Sequence, residues 1–168
     1  MTAIRHLVSL LLFVAMVLVS SLSSPAIALD YPPPLSFSNA ELQGRDFTGW
    51  EIRAAEFSNA NLSFADFSYA DARGGIFSAS VARQACFHGT DFSTGLLDMT
   101  DFTGADLSDA ILIDTIMLRS TFKGADITGA DFTGALLDGA QIRELCAIAS
   151  GTNPTTGTAT RDSLGCRF

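Results

Sequence analysis

Large apolar residues recur at every fifth position over most of this chain. Counted from Leu42, the pattern holds without a slip for 21 successive positions, and 19 of these are large and apolar. The two exceptions are Ala72 and Ala82. The residue two places earlier is Ala, Gly, Ser or Thr at 19 of the 21 positions, failing only at Arg45 and Trp50. A helix repeats apolar residues every 3.6 positions and a strand every two, so neither element alone explains this period.

The five-residue unit, or pentad, predicts a short extended segment followed by a corner. Side chains alternate along an extended segment, so the large residue, here called the centre, points the same way as the small residue two places before it. The two residues after the centre would both point outward, and this requires the chain to bend. Corners at regular spacing close the chain into a coil, and stacked coils bury the inward residues in one continuous core.

Several pentads share one pattern of residues, including 60–64 (ANLSF), 65–69 (ADFSY), 105–109 (ADLSD) and 130–134 (ADFTG). These segments resemble the A(D/N)LXX unit of the pentapeptide-repeat family. The resemblance implies an all-β fold, a right-handed quadrilateral β-helix with four pentads per coil, over residues 37–144. Residues 20 apart would then share a column. One coil would have Phe67, Ala72, Phe77 and Ala82 as centres, and its volumes balance because the two Phe lie on opposite faces.

One outward column of this coil geometry is apolar. The position just before the centre usually holds a charged or polar residue, but one column reads Glu56, Ile76, Leu96, Ile116, Leu136. We expect Met99 and Leu118 to flank these aliphatic residues, with Ile111 and Ile113 around the corner. An exposed apolar strip of this kind indicates an interface. The alternatives are that the C-terminal segment or a loop covers the strip, or that the surface is idle.

The other outward columns are acidic, and the chain has a formal net charge of -8. Only Lys123 among the basic residues is a lysine, and a nucleic-acid-binding surface would need clustered Lys and Arg. Stacked carboxylates raise the possibility of calcium, but no D-x-D-x-D-G loop is present, so we interpret them as solvated surface. Outside residues 1–28, His88 is the sole histidine, and no Walker loop, G-x-G-x-x-G or G-x-S-x-G occurs. We therefore expect no enzyme activity, cofactor or metal.

Residues 1–28 have the three parts of a secretory signal. Arg5 gives a positive start, 7–22 is almost purely apolar, and an A-x-A cleavage site occupies 26–28. The alternative is a retained anchor, but the apolar run is shorter than the roughly 20 residues that span a bilayer. We expect membrane contact only through this segment before cleavage. Residues 29–36 form an extended lead-in, and cleavage would leave 9 basic and 18 acidic residues, a formal charge of -9.

The C-terminal residues 145–168 predict a cap, with a short helix at 141–149. In an oxidising compartment, Cys146 and Cys166 are expected to form a disulfide, the alternative being two free thiols. Cys86 is left over, and a free thiol, an intermolecular bridge or an ordinary unpaired cysteine are all open. The cap also resembles the C-terminal segment of thylakoid-lumenal pentapeptide-repeat proteins in 145–147 (LCA), 149–154 (ASGTNP) and 160–166 (TRDSLGC). That resemblance implies a lumenal or periplasmic home and the same disulfide, and the simple export signal fits a cyanobacterium.

Taken together, the sequence predicts a non-enzymatic exported solenoid that acts as a protein-interaction or scaffolding module in the thylakoid lumen or periplasm. Its candidate interface is Ile76, Leu96, Ile116, Leu136, Met99 and Leu118, and its partner is another protein or a second copy. A first alternative is a DNA mimic that binds gyrase, which the acidic surface favours and the export signal disfavours. A second alternative is a purely structural, self-associating protein.

Overall fold

The computed structural model describes residues 34–167. The predicted signal peptide at 1–28 lies outside the described residues, as does all of the lead-in except 34–36. Within residues 34–167 no helix combines the length and the apolar character that a membrane crossing requires.

Residues 36–136 form stacked coils of four pentads each. Parallel single-residue β-bridges join each coil to the next, running in steps of five from Ser36↔Glu56 to Ile116↔Leu136. From Glu56 onward, each bridge residue bonds the preceding coil through both its N–H and its C=O; for example, Ile76 N–H donates to Ala55 O at 2.9 Å and Ile76 O accepts from Phe57 N–H at 2.7 Å. The stack therefore has four faces. The bridges stay isolated, so no longer strand forms within the described residues.

The predicted corner is a hydrogen-bonded turn after each centre. Phe57 O accepts from Ala60 N–H at 3.0 Å, which closes a four-residue turn across Ser58 and Asn59. The second turn residue has a positive φ, such as 57° at Asn59. This is the third position of a type II turn, which favours Gly or Asn. Several larger residues occupy it here, including Thr94 with φ 62°.

The core consists of the centres stacked along each face. Phe37, Phe57 and Phe77 lie face to face, with ring centroids 4.9 and 4.7 Å apart, and the same coils supply a second such stack on the opposite face. Ala72 and Ala82 are fully buried on the two remaining faces. The coil at 67–82 thus has the alternation of large and small residues that the sequence predicts, because two aromatic rings already fill its cross-section.

The two ends of the stack are closed differently. At the first coil Trp50 is exposed and packs edge-on against Phe47, with centroids 5.3 Å apart. The last bridge residue of the stacked coils is Leu136, and helix α1 spans Gly139–Ile148. This helix begins before the predicted end of the repeat at 144, because Asp138 and Gln141 form a reciprocal capping box. Gln141 also donates to the carbonyls of the last coil, so α1 covers the core.

The tail after α1 returns to the last coil. It contains an antiparallel bridge between Thr152 and Ala159 and the short helix α2 at Thr160–Ser163. Thr156 donates to the buried Asp131 at 2.7 Å. Burial acts to raise the pKa of Asp131, but hydrogen bonds from Thr133 and Thr156 outweigh it, and the pKa is lowered. A disulfide joins Cys146 to Cys166 across this tail.

Candidate functional site

The four aliphatic residues of the candidate interface stack on one face of the solenoid. Consecutive bridges join Ile76 to Leu96, Leu96 to Ile116 and Ile116 to Leu136, so these residues, here called the aliphatic column, occupy equivalent positions in four successive coils. Each lies immediately before a core centre and points to the outside of the coil. The face is therefore set by the four-pentad coil, and the backbone ladder holds its side chains in register.

The aliphatic column faces away from the core. Leu136 is 53% exposed, and the flanking side chains of Met99 and Leu118 are 46% and 39% exposed. The other three column residues are half-buried, as are Asp66 and similar residues of the acidic columns, because every rung has neighbours above and below. The aliphatic column is therefore accessible at its C-terminal end, at Leu136, and along the flank formed by Met99 and Leu118.

The hydrogen bonds of the C-terminal segment go to the end of the core and to other faces, not to the outer side of this column. Gln141 donates to the carbonyls of Met117 and Ser120, both at 2.8 Å, at the end of the core. Asn153 donates to the carbonyl of Asp109 at 2.9 Å, and Thr156 to Asp131. The path of the tail thus follows other parts of the last coils, which leaves Leu136 exposed.

On the other faces, the residue at the corresponding position supports its own turn. The carboxylate of Asp66, for example, accepts from the backbone N–H of Ser68 at 2.8 Å. Such a bond contributes about 0.5–1.5 kcal/mol. The side chains that make it are Asp46, Asn61, Asp66, Asp71, Asp91, Asp101, Asp106, Asp126 and Asp131.

The aliphatic column lacks this support in every one of its coils. An aliphatic side chain has no acceptor for the turn N–H two residues on. Among the described residues, the other three faces never lack the bond in two successive coils; Val81, for example, lies between Asn61 and Asp101, which both make it. The run of four aliphatic residues is therefore a departure from the pattern that stabilises the rest of the solenoid.

Carboxylates surround the aliphatic column. Glu56 continues it toward the N-terminal end, Asp98 lies two positions after Leu96, and Asp114 lies at the corner before Ile116. Asp98 accepts from Ser78 Oγ at 2.6 Å. Arg119 is an exposed cation of this rim. The residues that border the aliphatic column therefore carry a net negative charge.

Ion pairs account for part of the acidic surface elsewhere. Asp71 contacts both Arg53 and Arg73 at 2.7 Å, and Arg73 also approaches Asp91 at 3.7 Å. The hydrogen bond from the Arg73 side chain, with a further one from Arg53, lowers the pKa of Asp71 to about 2. Within residues 34–167 no three His, Cys, Asp or Glu side chains come together as a possible metal site.

A polar chain that includes the face opposite the aliphatic column was not predicted from the sequence. His88 Nδ1 lies 2.8 Å from Ser108 Oγ, and His88 Nε2 lies 2.9 Å from the Tyr69 hydroxyl. Since Ser108 donates to Asp106, it accepts from Nδ1–H, and Tyr69 donates to Nε2. The spacing of His88 and Ser108 by one full coil was a usable signal. Cys86, half-buried nearby, lies 3.1 Å from Ser68 Oγ.

Comparisons with known proteins identify the class of fold. The sequence profile of pentapeptide repeats matches residues 55–94 and 100–139 as eight copies. A solved pentapeptide repeat protein from the Arabidopsis thaliana thylakoid lumen is 34% identical, with a TM-score of 0.77, and the match covers 79% of this chain and 92% of that one. These similarities imply a right-handed β-helix solenoid. This chain belongs to the pentapeptide-repeat family.

More distant structures add no argument about function. QnrB1, a plasmid-mediated fluoroquinolone resistance protein, is 19% identical with a TM-score of 0.38, over 67% of this chain and 81% of that one. The protein Rfr23 from the cyanobacterium Cyanothece 51142 is 16% identical with a TM-score of 0.30, over 58% and 91%. No curated protein sequence matches the chain. Pentapeptide repeat proteins in general are structural or interaction modules and not enzymes.

Proposed function

We propose that this protein is a non-enzymatic interaction module whose binding surface is the aliphatic column with Met99 and Leu118. The observation that supports this most is the run of four aliphatic residues at positions that elsewhere hold turn-supporting Asp or Asn. Each aliphatic residue forgoes a stabilising hydrogen bond and adds apolar surface to the outside of the solenoid. Contact with a partner would bury that surface and offset the loss, at roughly 25 cal/mol per Å² removed from water.

We further propose that the protein is exported to the thylakoid lumen or the periplasm. Three observations support this. Residues 1–28 have the composition of a secretory signal. The cap contains a disulfide between Cys146 and Cys166, and disulfides persist mainly in oxidising compartments. The Arabidopsis thaliana relative comes from the thylakoid lumen. A cyanobacterial source would fit a single export signal.

The polar residues support a binding role over catalysis. Many of the carboxylates that could act as paired acids and bases are bonded to their own turns or to arginines, as Asp66 and Asp71 show. Phenylalanine rings fill the interior of the coils, and Phe57, Phe67 and Phe77 are fully buried. A substrate pocket is normally a concave cavity with a few convergent polar groups, whereas the outstanding feature here is a flat apolar face.

Site-specific cross-linking tests the proposed surface. A photoreactive amino acid would replace Leu96 in the exported chain, and the same amino acid would replace Val81 in a control chain. Val81 is a matched position, since it lies just before a centre on another face and is 39% exposed. We expect one defined protein to be cross-linked from position 96 and not from position 81. Equal or absent cross-linking at both positions would reject the aliphatic column as the binding surface.

A stability control accompanies this experiment. Ile76→Asn should stay within about 0.5 kcal/mol of the wild type, since Asn could support the turn at Ser78 as Asn61 supports the turn at Ser63. If the column were covered by another part of the chain, the polar group would be buried and the loss would be about 1–3 kcal/mol. The free energy of unfolding therefore distinguishes an open face from a covered one.

A further inference from the structure

We propose that the occupant of the aliphatic column is an amphipathic helix of a partner protein, about three turns long, with basic residues flanking its apolar stripe. This inference rests on the proposed function, because it names the partner of the same surface. Three features support it: the backbone of the face, the spacing of its side chains and the charges at its rim.

The backbone of this face has no free groups for pairing with an added strand. Ile76, Leu96 and Ile116 each use both N–H and C=O to bond the preceding coil, donating and accepting at 2.7–3.0 Å. A partner that binds as an extra β-strand needs an open edge with unpaired N–H and C=O groups. A partner of this face must therefore make its contacts through side chains.

The spacing of the column favours a helix. Successive rungs of stacked β-structure are about 4.8 Å apart. Side chains on one side of a helix recur about every 5.4 Å, whereas those on one side of a strand recur about every 6.7 Å. The side chains of a helix lying along the column therefore match the spacing of the rungs more closely than those of a strand would. From Ile76 to Leu136 are three rungs, or about 14 Å, which corresponds to about three helical turns.

The charges at the rim specify the flanks of that helix. Glu56, Asp98 and Asp114 border the column, and Arg119 is the exposed cation beside it. Within the described residues, neither Glu56 nor Asp114 forms an ion pair. Lysine or arginine residues on both sides of an apolar stripe would meet this rim, whereas acidic flanks or an anionic lipid surface would be repelled.

The size of the face predicts weak binding. The column is a single residue wide, with Met99 and Leu118 on one flank, and these six side chains fall far short of the roughly 20–30 residues per partner of a standard stable interface. We therefore expect a dissociation constant between about 10 μM and 1 mM. The area argues equally against a stable dimer of this chain formed through the same face.

The test uses two synthetic helical peptides, each of about 14 residues so that three turns are flanked by short ends. Both have leucine at positions 2, 5, 6, 9, 12 and 13. One has lysine at the flanking positions and the other has glutamate at the same positions. Binding to the chain without its signal segment would be measured by fluorescence anisotropy of the labelled peptides. The protein variants are Leu96→Asn with Ile116→Asn, Glu56→Gln with Asp114→Asn, and Val81→Asn as the matched control.

We expect the lysine peptide to bind at least tenfold more tightly than the glutamate peptide. Leu96→Asn with Ile116→Asn should abolish binding, and Val81→Asn should leave it unchanged. Neutralising Glu56 and Asp114 should weaken binding about three- to tenfold, and the loss should diminish at high salt.

Three results would overturn the inference without rejecting the proposed function. Equal binding of the two peptides would refute the requirement for basic residues in the partner helix, while leaving the column as a binding surface. Failure of both peptides to bind would refute a helical partner, and a dimer in sedimentation that Leu96→Asn with Ile116→Asn dissolves would then make a second copy the occupant. Binding of the lysine peptide that survives this double substitution would show that the peptide binds elsewhere, which also refutes the inference.

Discussion

Replacing Phe77 by alanine tests the register on which the structural argument depends. Phe77 is 1% exposed, its ring stacks on Phe57 at 4.7 Å, and it contacts Phe92 edge-on at 5.2 Å. Truncation of a buried phenylalanine to alanine lowers the free energy of unfolding by about 3–5 kcal/mol. The other two faces of the coil contribute only Ala72 and Ala82, so neighbours cannot fill the space, and we expect the upper half of this range.

The assay is equilibrium unfolding in guanidinium chloride, followed by far-UV circular dichroism and by the fluorescence of Trp50. Coincidence of the two curves would establish two-state behaviour, which the free energies require. Phe64→Ala is the control, because Phe64 is 63% exposed at a turn position and alanine preserves its non-glycine backbone. The control should change the free energy of unfolding by at most about 0.5 kcal/mol. A change below about 1 kcal/mol for Phe77→Ala would show that the register is wrong.

Three further predictions concern the cap, a turn and an ion pair. Cys146→Ser should lower the free energy of unfolding by about 3 kcal/mol, since the bond to Cys166 closes a loop with a sequence separation of 20; a reductant should destabilise the wild type and leave the variant unaffected. Thr94→Gly should raise the free energy of unfolding by about 0.5–1 kcal/mol, because threonine is strained at φ 62°. A decrease in the free energy of unfolding would contradict the turn geometry. The Arg73 hydrogen bond lowers the pKa of Asp71 from 3.8 to about 2. The ionised Asp71 therefore stabilises the fold fully above pH 3.8, and this stabilisation is lost as the pH falls through 2. Asp71→Asn should make the free energy of unfolding decline less steeply between these two pH values.

The sequence was sufficient to predict the core and the columns. Every pentad repeats one environment, so a large residue such as Phe77 and a small one such as Ala72 could be assigned to the inside from spacing alone. The coil of four pentads came from the family resemblance, and the bridge between Leu96 and Ile116 agrees with it. In an ordinary strand, an error of one residue in the predicted register changes the assigned face of every later residue. Here the turn after each centre restores the same alternation, so such an error does not carry over to the next pentad.

The ends and the lateral contacts were harder to predict. Helix α1 begins at Gly139 because Asp138 and Gln141 cap it, and this local signal interrupts a pentad pattern that continues to Ile142. The pairing of His88 with Tyr69 depends on the distance between neighbouring outward columns. Periodicity gives the column to which a residue belongs, but it does not give the separation of two columns around a corner.

The repeat also provides a way to separate residues that stabilise the fold from residues that are available for binding. A pentad needs an inward centre, an inward small residue and a supported turn, and Asp or Asn before the centre supplies the last of these at about 0.5–1.5 kcal/mol. Ile76, Leu96, Ile116 and Leu136 satisfy none of these needs, since they point outward and cannot accept a hydrogen bond. We therefore propose that contacts outside the solenoid account for this run, because the residues at the same positions on the other faces support their turns and these four do not.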